Sequence, residues 1–272
     1  MTARFVANAR MYAVSPAAET AWREMLARVA ADAGVELDYV PYPAPQPLET
    51  LWARRDLGAV FMCGYPIALG LSEVVPLAAP VPDVSWAEDR PVYRTDLIVR
   101  AESPWRTLAD SFAGRLGWTV EHSHSGFNAL RHHLLAHLAP GRDRLFRETK
   151  GHLVTARRIL DAVRDGTIDI GPLDAYWHML IRLHAPELCA GIRVLESTAT
   201  GPAPAFVCAP ALDPRAAEAL RGAFARAAAR PWFAALAAPL RLARFAAVTH
   251  DDYAPTLAWD RAARAAGYDT PR

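Results

Sequence analysis

The run Ser123-His124-Ser125-Gly126 puts two hydroxyls, an imidazole and a glycine in four consecutive positions. Two chemistries suit these types. If the run opens a helix, the first-turn amides lack intrahelical acceptors and carry about half a positive charge. A small oxyanion placed there could accept hydrogen bonds from those amides, from the Ser123 and Ser125 hydroxyls and from a His124 ring N–H. Each charge-assisted bond is worth roughly 1.5–3 kcal/mol net. Gly126 would let the backbone approach a ligand closely. The plainer alternative is that one serine only caps the helix.

The second chemistry is covalent. Ser123 or Ser125 could act as a nucleophile, with His152 as base and Asp174 as its orienting carboxylate. The glycine-flanked serine elbow is absent, since neither serine has a Gly on its N-terminal side. Asp174, which follows Gly171-Pro172, could equally cap a helix. A metal site is the third candidate, because His122, His124, His132, His133 and His137 crowd one stretch. His133 and His137, four residues apart, share a helical face. Phe127, Leu130, Leu134 and Leu138 form the apolar stripe of that helix, however. His132 falls opposite the stripe and the other two on its flank, where side chains are solvated. No His-Glu-x-x-His pattern or Cys pair accompanies them, so no metal is expected.

The surrounding elements alternate. Phe5–Met11 reads as a strand, and Ser15-Pro16 as a cap and first turn. Trp22, Met25, Leu26 and Val29 follow at helical spacing, with Gly34 as the stop. A strand at 35–39, a helix ending at Gly58 and a buried strand at 59–63 continue the rhythm. A second block runs from Tyr93: strands at 96–100, 116–120 and 168–170, with helices after the Ser123 turn, over 153–163 and from Asp174 to Leu183. The strand at 205–208 returns from it, and Ala-rich helices over 214–229 and 231–240 follow. This pattern predicts an α/β fold in two blocks. The segments near 94–101 and 203–209 are the expected crossovers.

Composition narrows the function. The chain has 272 residues, 52% of them hydrophobic, and 30 basic against 29 acidic side chains. A net charge of +1 argues against a nucleic-acid binder. Cys63, Cys189 and Cys208 are odd in number and far apart, which suggests neither a disulfide framework nor a zinc knuckle. The start, Met1-Thr2-Ala3-Arg4, lacks the pattern of a secretory signal, so the sequence alone predicts a cytoplasmic chain.

Several motifs in order carry a family resemblance. Tyr93-Arg94-Thr95-Asp96-Leu97-Ile98-Val99-Arg100, with Ser103 after it, resembles a strand shared by the phosphonate-binding family of periplasmic solute receptors. Leu108–Gly114 looks like the family's next segment. Ser123-His124-Ser125-Gly126 is similar to its Ser-Thr-Ser-Gly turn, with the larger, ionisable His124 in place of the threonine. Gly151-His152 resembles its Gly-His element, and Asp165–Gly171 its Gly-x-x-Asp-apolar-Gly strand. The likeness runs from about residue 50 to about residue 230.

The resemblance implies a two-lobed type 2 periplasmic-binding fold, each lobe a mostly parallel sheet flanked by helices, with the ligand in a cleft between them. Lobe 1 would comprise residues 1–94 and 206–272, and lobe 2 residues 95–205. Ser123, His124, Ser125 and Gly126 would hold an anionic head group of the phosphonate or phosphate class. His152 and Asp174 would join from the same lobe, the acid meeting any amino group on the ligand. Tyr12, Tyr65 and Tyr93 would close the pocket. The implied role is non-catalytic solute binding by a monomer, without a cofactor. It would serve an ABC-type transporter permease, or act as a related carrier or sensor. Membership would also imply a periplasmic location once a leader has been removed.

Overall fold

The computed structural model describes residues 4–139 and 141–272. The first three residues, part of the start that lacks a secretory-signal pattern, lie outside that range. The chain forms two compact units: Met1–Val92 with Pro202–Ala254, and Tyr93–Gly201 with Pro255–Arg272. The first unit opens with β1 (Phe5–Asn8), α1 (Pro16–Ala33), β2 (Leu37–Tyr39), α2 (Leu48–Trp52), β3 (Leu57–Met62), α3 (Gly64–Ala68) and β4 (Val75–Pro82). The chain enters the second unit through β5 (Val92–Tyr93), and β6 (Thr95–Arg100) and β7 (Arg115–Gly117) follow. Next come α4 (Ala129–Leu134), β8 (Glu148–Lys150), α5 (Ala156–Arg164), β9 (Ile170–Asp174), α6 (Ala175–His184) and β10 (Ile192–Ser197). It leaves through β11 (Gly201–Pro202) to β12 (Ala205–Cys208), α7 (Pro214–Arg226), α8 (Phe233–Ala237) and β13 (Leu242–Ala247). Helix α9 (Ala254–Ala265) then carries it into the second unit again.

Local chemistry explains the well-read elements. Ser15 Oγ accepts from Ala18 N at 3.1 Å, Pro16 fills the first position of α1, and Gly34 ends it with φ +65°. The buried face of α1 carries Trp22, Met25, Leu26 and Val29. Trp22 meets Phe61 edge-on at 5.1 Å, and Phe61 stacks on Phe206 at 3.8 Å. These rings anchor the first core, since aromatic side chains bury the most apolar area per residue.

Among the described residues the first unit holds a six-stranded sheet, β13-β4-β12-β3-β1-β2, and the second a five-stranded one, β10-β6-β9-β7-β8. Both sheets are mixed, with parallel and antiparallel pairs. β2, β1 and β3 run parallel, but β12, β4 and β13 pair antiparallel. In the second unit β9, β7 and β8 run parallel, while β6 and β10 pair antiparallel. A βα repeat yields parallel neighbours only while a helix follows each strand. Where the chain enters or leaves a unit it lays down antiparallel strands instead.

The division also differs from the expected one. Residues 255–272 belong to the second unit, not the first. Arg131, buried on the helix after the Ser123 turn, pairs with Asp260. Tyr268 is fully buried in the second unit's apolar core with Leu97, Val99, Leu130 and Leu134. On the opposite sheet face, Ile98 packs with Ile159, Leu160, Val163 and Leu173. The alternation of Leu97, Ile98 and Val99 between two cores shows a sheet covered on both sides. No helix among the described residues is long and apolar enough to cross a membrane.

Candidate functional site

The adjacent parallel strands β9, β7 and β8 end on one edge of their sheet, and each is followed by a helix with a side-chain cap. After β7, Ser123 Oγ accepts from Gly126 N at 3.0 Å. After β8, Thr155 Oγ1 accepts from Arg158 N at 3.2 Å. After β9, Asp174 Oδ1 accepts from Tyr176 N at 2.8 Å and Trp177 N at 3.0 Å. Open α/β sheets place ligands outside the carboxyl ends of such strands. Three helix starts there add their partial positive charges.

The Ser123 turn is not a regular α-helical start. Asn128 N reaches back to Ser123 O at 3.0 Å, five residues away, and His124–Asn128 form a π turn before α4. The turn is stitched to its neighbours. Thr119 N donates to Gly126 O at 3.2 Å, and Thr95 Oγ1 donates to Ser125 O at 3.0 Å. The Ser125 side chain is partly exposed, and neither its hydroxyl nor its amide is hydrogen-bonded within the described residues. Gly126 is also required by the packing of the turn itself. A Cβ there would lie 2.0 Å from Thr119 Oγ1, so the glycine lets the turn close on the segment that follows β7.

His124 turns inward. It is only 1% exposed, and its Nδ1 lies 3.3 Å from Asn128 Nδ2. An amide nitrogen can only donate, so Nδ1 accepts and the ring proton sits on Nε2. Burial, with a smaller push from nearby His132, lowers its pKa to about 3. The imidazole is therefore neutral at physiological pH, whereas the sequence suggested an ionisable group facing a ligand. The other histidines have separate surroundings. His132 stacks on Trp259 at 4.8 Å, His133 Nε2 lies 2.7 Å from Glu196 Oε1, and His137 meets the Phe112 ring edge-on.

His152 is exposed, its Nε2 3.2 Å from Glu121 Oε1, with its ring 4.9 Å from that of Trp118. It is left-handed at φ +57°, and so is Val154 at φ +66°. For a β-branched residue this conformation costs roughly 1–2 kcal/mol. Leu153 N and Val154 N donate to Trp118 O and Thr119 O at 3.2 and 3.4 Å, which ties this loop to the end of β7. Sequence reasoning missed Thr155 and the strained Val154. The Thr cap was findable from the helix periodicity behind it, but a left-handed valine leaves no local signal.

All three tyrosines are core residues. Tyr12 is 1% exposed and edge-on to Phe61, Tyr65 is 2% exposed in α3, and Tyr93 is 2% exposed with its ring 5.8 Å from that of His124.

A family model for the phosphonate periplasmic substrate-binding protein of ABC transporters matches residues 12–253. The chain belongs to this phosphonate-binding family. No curated protein matches it in sequence. Among solved structures it resembles a binding-protein component of an ABC phosphonate transporter from Pseudomonas aeruginosa, with 16% identity, 97% of this chain and 88% of that one covered, and a TM-score of 0.78. It also resembles PhnD1 from Prochlorococcus marinus in complex with methylphosphonate, with 13% identity, coverage of 96% and 98%, and a TM-score of 0.77. A third is R. palustris Rpa4515 with adipate, with 12% identity, coverage of 100% and 99%, and a TM-score of 0.66. The fold is thus the two-lobed type 2 periplasmic-binding fold, and this phosphonate-binding family member is a non-catalytic solute-binding protein.

The hydrolase reading falls with it. Ser123 Oγ is spent on its cap, His152 pairs with Glu121, and Asp174 caps α6. No hydrogen bond links either serine to His152, or His152 to Asp174. A relay through a histidine base has no path here.

Proposed function

We propose that the protein binds a small oxyanion of the phosphonate or phosphate class at the Ser123–Gly126 turn and delivers it, as a monomer, to an ABC-type permease. The observation that carries this reading is the open Ser125. Its hydroxyl and amide have no hydrogen-bond partner among the described residues, at a helix start on an edge where two further capped helix starts lie. Family membership supports the ligand class, and a relative of the same fold was solved with methylphosphonate.

In this reading Ser125 donates twice, through Oγ and N. His124 and Gly126 contribute backbone to the turn, and Ser123 shapes it as the cap. His152 is the exposed group that could swing from Glu121 onto the anion. The Asp174 carboxylate, on the same edge, would favour a ligand that also carries an amino group. Tyr12, Tyr65 and Tyr93 act as packing residues beneath the binding surfaces.

Calorimetry with methylphosphonate and inorganic phosphate tests the reading. Ser125→Ala removes one charge-assisted donor, and a loss of about 1.4 kcal/mol weakens binding tenfold. Unchanged affinity in Ser125→Ala would sink the assignment of the turn.

A further inference from the structure

His124 is the one side chain of the turn that faces away from solvent, and its surroundings are specific. Its ring stacks on Trp259 of α9 at 5.1 Å and 26°. A Cβ on Gly201 would sit 2.6 Å from its Nε2, so only a glycine in β11 leaves room for the ring. Tyr93 in β5 lies against it at 5.8 Å. Asn128, which donates to His124 Nδ1, also donates to the Thr256 carbonyl of α9 at 2.8 Å.

His124, Asn128 and His132 are spaced i, i+4, i+8 and present one face, as Thr256, Trp259 and Asp260 do on α9. His132 stacks on the same Trp259, with the two ring planes within 7°. The partners of the ring thus come from β5, from β11 and from α9. These are the segments on which the chain passes between units. The ring is buried, with its Nε2 against Gly201, so it does not reach an anion at the surface of the turn directly.

We infer that His124 is a positioning residue: clamped on Trp259 and linked through Asn128 to the Thr256 carbonyl, it lets the C-terminal helix set the backbone geometry of the anion turn. The inference rests on the reading of that turn as the binding site. An oxyanion held by amides is sensitive to their direction, because hydrogen bonds weaken steeply as they bend. Loosening the stack should therefore lower affinity without removing any group that touches the ligand. The half-buried Trp259 is the place to loosen it, since it belongs to another element.

The test measures methylphosphonate affinity by calorimetry, and melting temperature, in wild type, Ser125→Ala, Trp259→Phe and Trp259→Leu. Phenylalanine keeps an aromatic face for His124 and leucine does not. The expected result is at least about fivefold weaker binding in Trp259→Leu, with Trp259→Phe within about twofold of wild type. A merely structural tryptophan would lower the melting temperature of both variants and leave both affinities alone. Trp259→Leu binding like wild type while Ser125→Ala is weakened overturns this inference alone. Ser125→Ala binding like wild type, or no binding to the unmodified protein, overturns the anion-turn reading and this inference with it.

Discussion

The two edges of the second unit's sheet are built from similar residue types to opposite ends. At the amino-terminal edge of β7 and β9, the Asp169 carboxylate is saturated. Arg115 Nε donates to its Oδ2 at 2.9 Å, Arg115 N to the same oxygen at 2.9 Å, and Arg100 Nη2 to Oδ1 at 3.1 Å. The bond from Arg115, with the help of Arg100, holds its pKa far below the usual carboxylate value. At the carboxyl-terminal edge the polar groups are arranged the other way. The caps satisfy part of each helix start, while Ser125 keeps a hydroxyl and an amide open, and two residues sit in left-handed strain. One edge converts polar groups into stability. The other leaves a hydroxyl and an amide open, and there the proposed anion turn lies.

Four experiments would break or sharpen that contrast. The largest effect is expected beside the edges, at the seam between α4 and α9. Asp260→Ala strands the buried guanidinium of Arg131 and should cost about 3–5 kcal/mol in urea denaturation. Asp169→Ala should cost about 2–3 kcal/mol through lost charge-assisted bonds, and leave methylphosphonate affinity within about twofold. A large affinity loss there would erase the distinction between the edges. Ser125→Ala should do the converse, with about tenfold weaker binding and a nearly unchanged melting temperature. Val154→Gly should give the smallest effect, a gain of up to about 1 kcal/mol from relieved strain, offset in part by the entropy of the glycine.

The edges should also separate by pH. Burial lowers the His124 pKa from 6.5 to about 3, so the unfolded chain takes up that proton first. Stability should fall as pH drops below about 6.5, a loss that His124→Gln reduces. Asp169 has a depressed value, so its contribution is complete above the ordinary 3.8 and is lost only as pH falls further. Chemical denaturation from pH 7 down to pH 3 reads the first stage and the onset of the second.

The sequence made much of this visible, for reasons that particular residues supply. Ser15, Ser123 and Asp174 announced helix starts because side-chain caps act within three residues. The strands at 59–63, 96–100 and 205–208 stood out as short apolar runs. β4 was passed over because Pro76, Pro80 and Pro82 lie in a strand, although it pairs on both sides through its remaining groups. α9 and the return of 255–272 to the second unit went unread because their partners are remote. Arg131 and Asp260 are far apart in sequence, and nothing near either one says that it is buried. His124 was placed facing a ligand on the assumption of a regular first turn, but the π turn and the glycine at 201 draw it inward.

The third passage of the chain, at Ala254–Pro255, limits how the protein can be dissected. A fragment of residues 93–201 would contain the Ser123 turn, both neighbouring caps and the whole five-stranded sheet. It would still lack the Asp260 carboxylate that neutralises Arg131, the Arg272 carbonyl that accepts from Leu145 N at 2.7 Å, and the Tyr268 ring of its own core. An isolated binding module would have to be made as a permutant or as a two-piece complementation pair, with 255–272 supplied back to it.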